Sequence, residues 1–397
     1  MTETVGLMEP MLPPENASEL NDLALDLATK ASAFAGMLNP VVAQSVGDLV
    51  RSMNCYYSNL IEGHDTHPRD IDQAIAKNYS SEPQKRALQK EAVAHIAVQK
   101  MIDDGEAPVH CPLSSEYGRW IHQEFCERLP EKLLWVENPD TGEKIKVIPG
   151  MHRERTVKIG RHIPPRPENL DLFLRRFDDA YDAKRLSKLQ RITSVAASHH
   201  RYVWIHPFLD GNGRVVRLMS YAALKNINVG SELWSVARGL ARQTDEYKSI
   251  LQSADTPRQG DLDGRGTLSE KALVKFCEFF LEICIDQVEY MNNLLDFKVL
   301  SERMRIHVEE MIAMKKLPKG SYSLLRETLL IGEFERGKAQ EITGFKDRAA
   351  REVLYALVKK GLLVSDTPRG SVRLGFPIDV VERWFPLLYP GTNPHFS

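Results

Sequence analysis

The sequence predicts a mainly α-helical protein with one β-hairpin region and a C-terminal module of the winged-helix type. Over most of the chain, apolar residues recur at spacings of three and four, which is typical of helices that bury one face. The stretch 133–167 instead alternates and is interrupted by Gly and Pro, as in short hairpins. After a break near Phe297, short helical segments precede two strands around a turn, which is the element order of a winged helix.

The composition is that of an ordinary globular protein. Of 397 residues, 43% are hydrophobic and 27% are charged, and this length predicts two or three domains. The 52 basic and 54 acidic residues leave a net charge of −2, which excludes a uniformly basic, nucleic-acid-coating chain but not a local patch. No apolar run approaches the roughly 18 residues of a membrane span. With five scattered cysteines and no secretory signal pattern at the start, we expect a cytoplasmic protein without membrane contact.

Each helical segment can be placed from its periodicity. The clearest are 17–38, with Ser18 as its expected N-cap, and 83–102, 167–184, 188–205 and 268–295. The hairpin region predicts one or two hairpins, the second from about Thr156 to Ile163.

The C-terminal module is predicted from three short helices followed by a hairpin. The helices fall at 321–332, 334–344 and 346–361, and the strands within 362–376. Between Glu335 and Phe376, nine basic residues stand against five acidic ones. This surplus is modest, so DNA binding, contact with a protein and dimer formation all stay open.

One stretch, HPFLDGNGRVVR at 206–217, concentrates groups that suit phosphate chemistry. Gly211 and Gly213 allow a tight turn that opens a helix, and the N–H groups at a helix start bind anions. Arg214 and Arg217 are three apart and share a helix face, so two guanidiniums flank that anion site. The pattern predicts a polyphosphate ligand.

Two further residues of this stretch predict a reaction. Asp210 is an acid among phosphate-binding groups, which is reasonable if it carries Mg²⁺. His206 is a base that titrates near neutral pH. Together they indicate transfer of a phosphate-containing group to a hydroxyl. The alternative is an ordinary turn beside a buried histidine, but packing alone gives no simple reason for so many such groups in twelve residues.

The stretch resembles the signature of Fic-domain proteins, His-x-Phe-x-[Asp/Glu]-Gly-Asn-Gly-Arg-x-x-Arg, with every defining position filled. The resemblance implies a Fic-type helical bundle that transfers AMP from ATP to a Ser, Thr or Tyr hydroxyl of a protein. It assigns His206 as the base, Asp210 as the Mg²⁺ ligand, and Asn212 with its neighbouring amides to the α-phosphate. Arg214 and Arg217 are assigned to the β- and γ-phosphates, while Phe208 anchors the loop in the core and Pro207 shapes it.

Two other stretches resemble parts of the same family. VKIGRHIPPRP resembles the flap, a hairpin that pairs with the target protein, and it places the docked protein substrate near Thr156 to Ile163. RQTDEYKSIL resembles the helix that borders adenine. The implied nucleotide-binding residues are Glu62, Ile159, Gly160, Arg161, His162, His206, Gly211, Asn212, Gly213, Arg214, Val215, Val216, Arg217 and Tyr247. Glu246 and Ala254 depart from some relatives, which leaves the base selectivity open.

An upstream segment, SNLIEG, resembles the inhibitory helix motif of autoinhibited Fic proteins. Ser58 and Glu62 are four apart and share a helix face. By themselves they are equally typical of a surface pair. The resemblance implies that Glu62 pairs with Arg217 and denies this arginine to the γ-phosphate.

These observations predict three regions: 1–105 as an N-terminal helical region with the inhibitory motif, 106–300 as the Fic catalytic core, and 301–397 as a winged-helix domain with a tail. The first hypothesis is an autoinhibited protein adenylyltransferase that uses Mg-ATP. Two alternatives stay open: a Fic enzyme with another nucleotide or phosphate-containing donor, and a DNA-binding regulator. The target, self-modification and formation of a homodimer are also left open.

Overall fold

A computed structural model describes residues 3–138 and 141–389. In this part of the chain the α-helices are α1 (Ser18–Ala35), α2 (Pro40–Ile61), α3 (Pro68–Ile75), α4 (Pro83–Asp103), α5 (Ser115–Glu127), α6 (Leu170–Ala180), α7 (Lys188–Ile205), α8 (Asn212–Asn226), α9 (Val236–Arg242), α10 (Thr244–Ser253), α11 (Glu270–Leu295), α12 (Phe297–Ala313), α13 (Ser321–Ile331), α14 (Ala339–Thr343), α15 (Asp347–Lys359) and α16 (Ile378–Trp384). The strands are β1 (Trp135–Glu137), β2 (Lys144–Lys146), β3 (Glu333–Phe334), β4 (Leu363–Val364) and β5 (Val372–Leu374). The prediction of a mainly helical fold is confirmed.

The chain divides into two compact units. The first comprises the residues up to Ser32 together with Asn54–Val288, and the second comprises Ala33–Met53 together with the residues from Glu289 onward. The functional boundaries predicted at 105 and 300 stay a prediction.

The centre of the first unit is the consecutive pair α7 and α8. α7 begins with a capping box, in which the Ser187 side chain accepts from the Gln190 N–H and the Gln190 side chain accepts from the Ser187 N–H. The segment from Ile192 to Ile205 is buried almost throughout, and so is most of α8. Two helices that are buried on nearly every face lie inside the unit, so the loop that joins them is held on a rigid support.

The hairpin region is smaller than its sequence pattern suggests. β1 and β2 pair antiparallel, with Val136 opposite Ile145. The predicted second hairpin is reduced to one antiparallel bridge between Ile159 and His162. The strands do not extend back to Thr156. In α1, Ser18 is the first helical residue rather than the residue before the helix.

The second unit contains three helices and a small sheet in the order predicted for the C-terminal module. Gly344 follows α14 in the left-handed region (φ 68°), and Gly361 after α15 has φ 70°, which favours glycine at both helix ends. The antiparallel strands lie in the order β3-β5-β4. Assignment of this unit as a winged helix stays a prediction.

Within the described ranges, none of the helices has the length and apolar character needed to cross a membrane.

Candidate active site

The loop between α7 and α8 carries the residues expected to bind phosphate. His206 ends α7 in the left-handed conformation (φ 49°), and Gly211 precedes α8 with φ 81°. Asn212 closes the loop, because its Oδ1 accepts from the Phe208 N–H at 3.0 Å and its Nδ2 donates to Phe208 O at 2.8 Å. The Asn212 side chain therefore shapes the loop, and the groups left to meet an α-phosphate are the N–H groups that begin α8.

Phe208 anchors this loop in the core. It is fully buried, and its ring stacks on His122 with the ring centroids 3.9 Å apart and an interplanar angle of 1°. His122 Nδ1 in turn accepts from the Gly150 N–H at 2.9 Å. Burial lowers the pKa of His122 to about 4, so it is a neutral, stacking ring at pH 7. The loop is thus fixed by packing as well as by Asn212.

The pKa of His206 is lower than the near-neutral value expected from the sequence. Burial lowers its pKa to about 4, so the imidazole is neutral at pH 7 and can accept a proton. Within the described part of the chain, its Nδ1 is buried and has no hydrogen-bond partner.

Arg214 is held between two carboxylates. Its Nη2 lies 3.1 Å from Asp210 Oδ2, and its Nη1 lies 3.1 Å from Glu91 Oε2 on α4. The same Glu91 oxygen accepts from His64 Nδ1 at 2.9 Å, and this hydrogen bond raises the pKa of His64. Sequence reasoning missed Glu91 and His64. In the sequence, a glutamate of a long amphipathic helix that pairs with an arginine cannot be told apart from one that faces solvent.

The structure brings Ser58, Glu62 and Arg217 together. Arg217 is 3% exposed; its Nε donates to Ser58 Oγ at 2.9 Å, and its Nη2 donates to Ser58 O at 2.9 Å and to Glu62 Oε1 at 2.6 Å. Burial alone would raise the pKa of Glu62, but the neighbouring Arg217 outweighs it and holds this pKa below its usual range. Glu62 is therefore ionised at neutral pH.

The Glu62 carboxylate also covers the beginning of α8. A Cβ atom at Gly213 would collide with Glu62 Oε1. The N–H groups of a first helical turn attract anions. The carboxylate of Glu62 therefore lies against the first turn of α8, beside Gly213.

The side chains of Val215 and Val216 are buried, and their assignment as nucleotide contacts stays a prediction. Arg214 and Arg217 share one face of α8, so the two residues between them point away from it. Val215 is 2% exposed, and its N–H donates to Gly211 O at 2.9 Å. Val216 is equally buried. Both side chains pack in the core beneath α8.

Tyr247 lies in a buried hydrogen-bonded series with His199 and Ser220. Its Oη is 2.8 Å from His199 Nε2, and His199 Nδ1 is 2.9 Å from Ser220 Oγ. Burial lowers the pKa of His199 to about 3, so this imidazole is neutral. Only 4% of Tyr247 is exposed, and its contact with adenine stays a prediction.

The predicted flap residues form a tight turn beside a groove. The Ile159 and His162 main chains exchange two hydrogen bonds of 2.9 Å around Gly160 (φ 58°) and Arg161. His162 Nε2 donates to Trp204 O at 2.7 Å, which ties the turn to the end of α7. The groove has a volume of about 520 Å³ and is lined by Arg161, His162, Ile163, Gln252, Ser253, Asp255, Thr256 and Pro257.

Asp210 fits the role of a magnesium ligand. Its side chain is 55% exposed and lies four residues before Arg214, next to the anion-attracting start of α8. Mg²⁺ is usually held by one or two carboxylates together with substrate phosphates, so a single exposed acid is sufficient. No group of three or more His, Cys, Asp or Glu residues suited to a metal occurs in residues 3–138 and 141–389.

Comparison with known proteins agrees with this geometry. Residues 112–224 match the Fic/DOC family. The chain is 41% identical over 120 residues to Protein adenylyltransferase Fic of Drosophila erecta, which is 30% of this chain and 24% of that protein. It is 30% identical over 169 residues to the protein of the same name in Nematostella vectensis, covering 43% of this chain and 36% of the relative. The chain thus matches only about a quarter to a third of the length of these relatives.

The overall fold has a solved counterpart. A Fic family protein from Desulfovibrio desulfuricans G20 aligns with a TM-score of 0.53 and 16% identity, covering 92% of this chain and 98% of that one. At this identity the likeness concerns the fold, and it confirms the predicted Fic-type helical architecture. The filled motif at 206–217, the loop that it forms and the matched family together show that this chain contains a Fic domain at residues 112–224.

Proposed function

We propose that this chain is a protein adenylyltransferase that moves AMP from Mg-ATP to a Ser, Thr or Tyr hydroxyl and is held back by its own Glu62. The observation that carries the proposal is one loop that combines a neutral, half-buried His206 with an anion-attracting helix start and two buried arginines. The relatives named protein adenylyltransferase support the same chemistry.

The reaction follows from the placement of these groups. The target hydroxyl oxygen bonds to the α-phosphorus, the bond from that phosphorus to the bridging oxygen breaks, and pyrophosphate leaves. His206 takes the hydroxyl proton. The N–H groups at the start of α8 stabilise charge on the α-phosphate, and Arg214 and Arg217 hold the leaving phosphates. Mg²⁺ bound at Asp210 supplies charge neutralisation for the phosphates.

The flap turn gives a target somewhere to dock. Ile159 is 41% exposed and Ile163 is 64% exposed, so the turn presents apolar side chains and an exposed edge to a partner. An extended segment of a target protein pairs with such an edge through its main chain, which fixes its register with little sequence choice. The same geometry accepts a segment of this chain, which makes self-modification a useful first assay.

The proposal is tested by nucleotide labelling of the Glu62→Gly protein, alone and with cell lysate. ATP labelled on the α-phosphate should label protein, whereas ATP labelled on the γ-phosphate should not. Parallel reactions with α-labelled GTP and CTP test the donor base. Transfer of the γ-label would indicate phosphorylation instead, and faster transfer from GTP or CTP would replace ATP as the donor.

Asp210→Ala should lower transfer by at least about 10²-fold and remove the response to added Mg²⁺, because the metal loses its protein ligand. Transfer is measured across a Mg²⁺ titration, beside Asp179→Ala as a control acid on the surface. Asp179 is 64% exposed and pairs with Arg185. Wild-type activity with an unchanged metal requirement in Asp210→Ala would remove this residue from the metal site.

The second unit gives less support to the DNA-binding alternative. On α15, Arg348 pairs with Glu352 and Arg351 pairs with Asp347, so the charges of these two exposed arginines are cancelled. Tyr355 on the same helix is 69% exposed. A neutral face with an exposed aromatic suits contact with a protein better than contact with phosphates. Duplex DNA binding that weakens steeply with salt would reverse this preference.

A further inference from the structure

The end of α7 and the first two residues of the following loop are bound to the flap segment through four consecutive main-chain carbonyls. The last carbonyls of a helix lack helical partners and need donors from elsewhere. Here every donor comes from residues 153–162. The four bonds are His162 Nε2 to Trp204 O (2.7 Å), Arg153 Nη2 to Ile205 O (3.4 Å), Arg153 Nε to His206 O (2.7 Å) and Arg153 N to Pro207 O (2.8 Å).

Arg153 also binds both sides of the flap. Its Nη1 donates to Arg155 O at 2.9 Å, and its Nη2 donates to Pro165 O at 2.6 Å. The residue is 2% exposed, and within the described part of the chain its side-chain hydrogen bonds all go to carbonyls. Burial lowers its pKa to about 10, so it keeps its charge at neutral pH.

A planar guanidinium suits this place. It presents five donors in a fixed fork, and a cation near a helix C-terminus is favoured by the helix dipole. Arg153 can therefore fix the positions of several carbonyls at once. A lysine has three donors on a flexible stem and can satisfy only part of the set.

We infer that Arg153 and His162 are positioning residues, which join the flap and the His206 loop into one rigid piece. A hydroxyl docked on the flap then faces His206 at a fixed distance. The expected effect on the rate of transfer rests on the proposed function. The hydrogen-bonded connection between the flap and the loop does not. Neither side chain is assigned a proton transfer: they act through His206 and through the register of the docked target.

The test uses the full chain in the Glu62→Gly background. Arg153→Met removes the side-chain donors, and Arg153→Lys keeps the charge but only part of the donor set. His162→Phe keeps a ring against Trp204 but removes the donor, and His162→Gln restores one. Arg155→Met is the matched control, because its side chain pairs with Glu143 outside this network.

Hydrogen exchange tests the connection between the flap and the His206 loop and does not require enzymatic activity. In Arg153→Met, the amides of His162 and Phe208 should both exchange at least about tenfold faster, since flap and loop lose a shared support. In His162→Phe only the flap amides should speed up, and His162→Gln should reverse this. Exchange unchanged in both flap and loop would overturn the inference. If Arg153→Met does not fold, the two His162 variants decide.

Kinetics separate positioning from binding. Arg153→Met and His162→Phe should lower kcat of self-labelling by about 10²-fold, the cost of a small misplacement of reacting groups, with KM for ATP changed by less than about threefold. A rise in KM with unchanged kcat would make His162 a nucleotide contact and overturn the tie. If the Glu62→Gly protein transfers no nucleotide at all, the proposed function fails. Hydrogen exchange still tests the connection between the flap and the loop.

Discussion

Replacing His206 with alanine should lower adenylyl transfer by about 10²–10⁴-fold, the usual loss on removing a general base. The imidazole is neutral because burial lowers its pKa to about 4, and within the described residues its buried Nδ1 makes no competing hydrogen bond. ATP affinity should change little, because the phosphates are held by α8 and its arginines. Transfer is measured by α-labelled ATP and affinity by calorimetry, both in the Glu62→Gly background.

The pH profile gives an independent check. Because only neutral His206 accepts a proton, kcat/KM should fall as the pH drops through about 4 and should be flat, as far as His206 is concerned, near pH 7. His200→Gln is a control for loss of a buried imidazole on the same helix, since its Nε2 contacts Leu251 O and Asp255 rather than the loop. Near-normal labelling by His206→Ala would end its assignment as the base.

Replacing Glu62 with glycine should raise transfer by about ten- to a hundredfold. The hydrogen bond from Arg217 to this carboxylate is charge-assisted, and such bonds contribute about 1.5–3 kcal/mol, which corresponds to that range in rate. Its loss frees Arg217 for the γ-phosphate and uncovers the start of α8 beside Gly213. α2 ends at Ile61, so glycine at position 62 lies outside the helix and should leave it intact.

Three further variants test how Glu62 inhibits transfer. Glu62→Gln should activate less than Glu62→Gly, because an amide still fills the space. Arg217→Ala should stay slow, since it removes the phosphate clamp along with the brake. Glu106→Gly is the matched control, an exposed acid that likewise follows a helix end. Equal transfer rates for wild type and Glu62→Gly would refute inhibition by Glu62. Fast transfer by Arg217→Ala would refute phosphate binding by Arg217.

Local rules predicted the helices well and the hairpins less well. The pattern at 188–205 gives the bounds of α7, because a capping serine precedes an unbroken helical periodicity. The second hairpin is a single bridge between Ile159 and His162. On either side of it, the carbonyls of Arg155 and Pro165 accept from the Arg153 side chain rather than from a partner strand. Periodicity describes one element at a time and does not indicate this competition.

The candidate site needed more than local rules. Glu62 and Arg217 are 155 residues apart, so no spacing rule joins them, and only the resemblance to a known motif suggested their contact. Arg153 carries no such motif. It is a single arginine in an irregular stretch, and its importance comes from four carbonyls that converge on it after folding. Contacts between a side chain and distant main chain leave no pattern in one sequence.

The fit of Glu62 against Gly213 has a genetic consequence. In a random library selected for hyperactive clones, most replacements of Glu62 should be recovered, because almost any of them removes the carboxylate. A replacement of Gly213 breaks the same contact by pushing Glu62 out. Its new side chain, however, then stands against the N–H groups that must receive the phosphate. The selection should therefore return many alleles at position 62 and none at position 213, although both dislodge the same carboxylate.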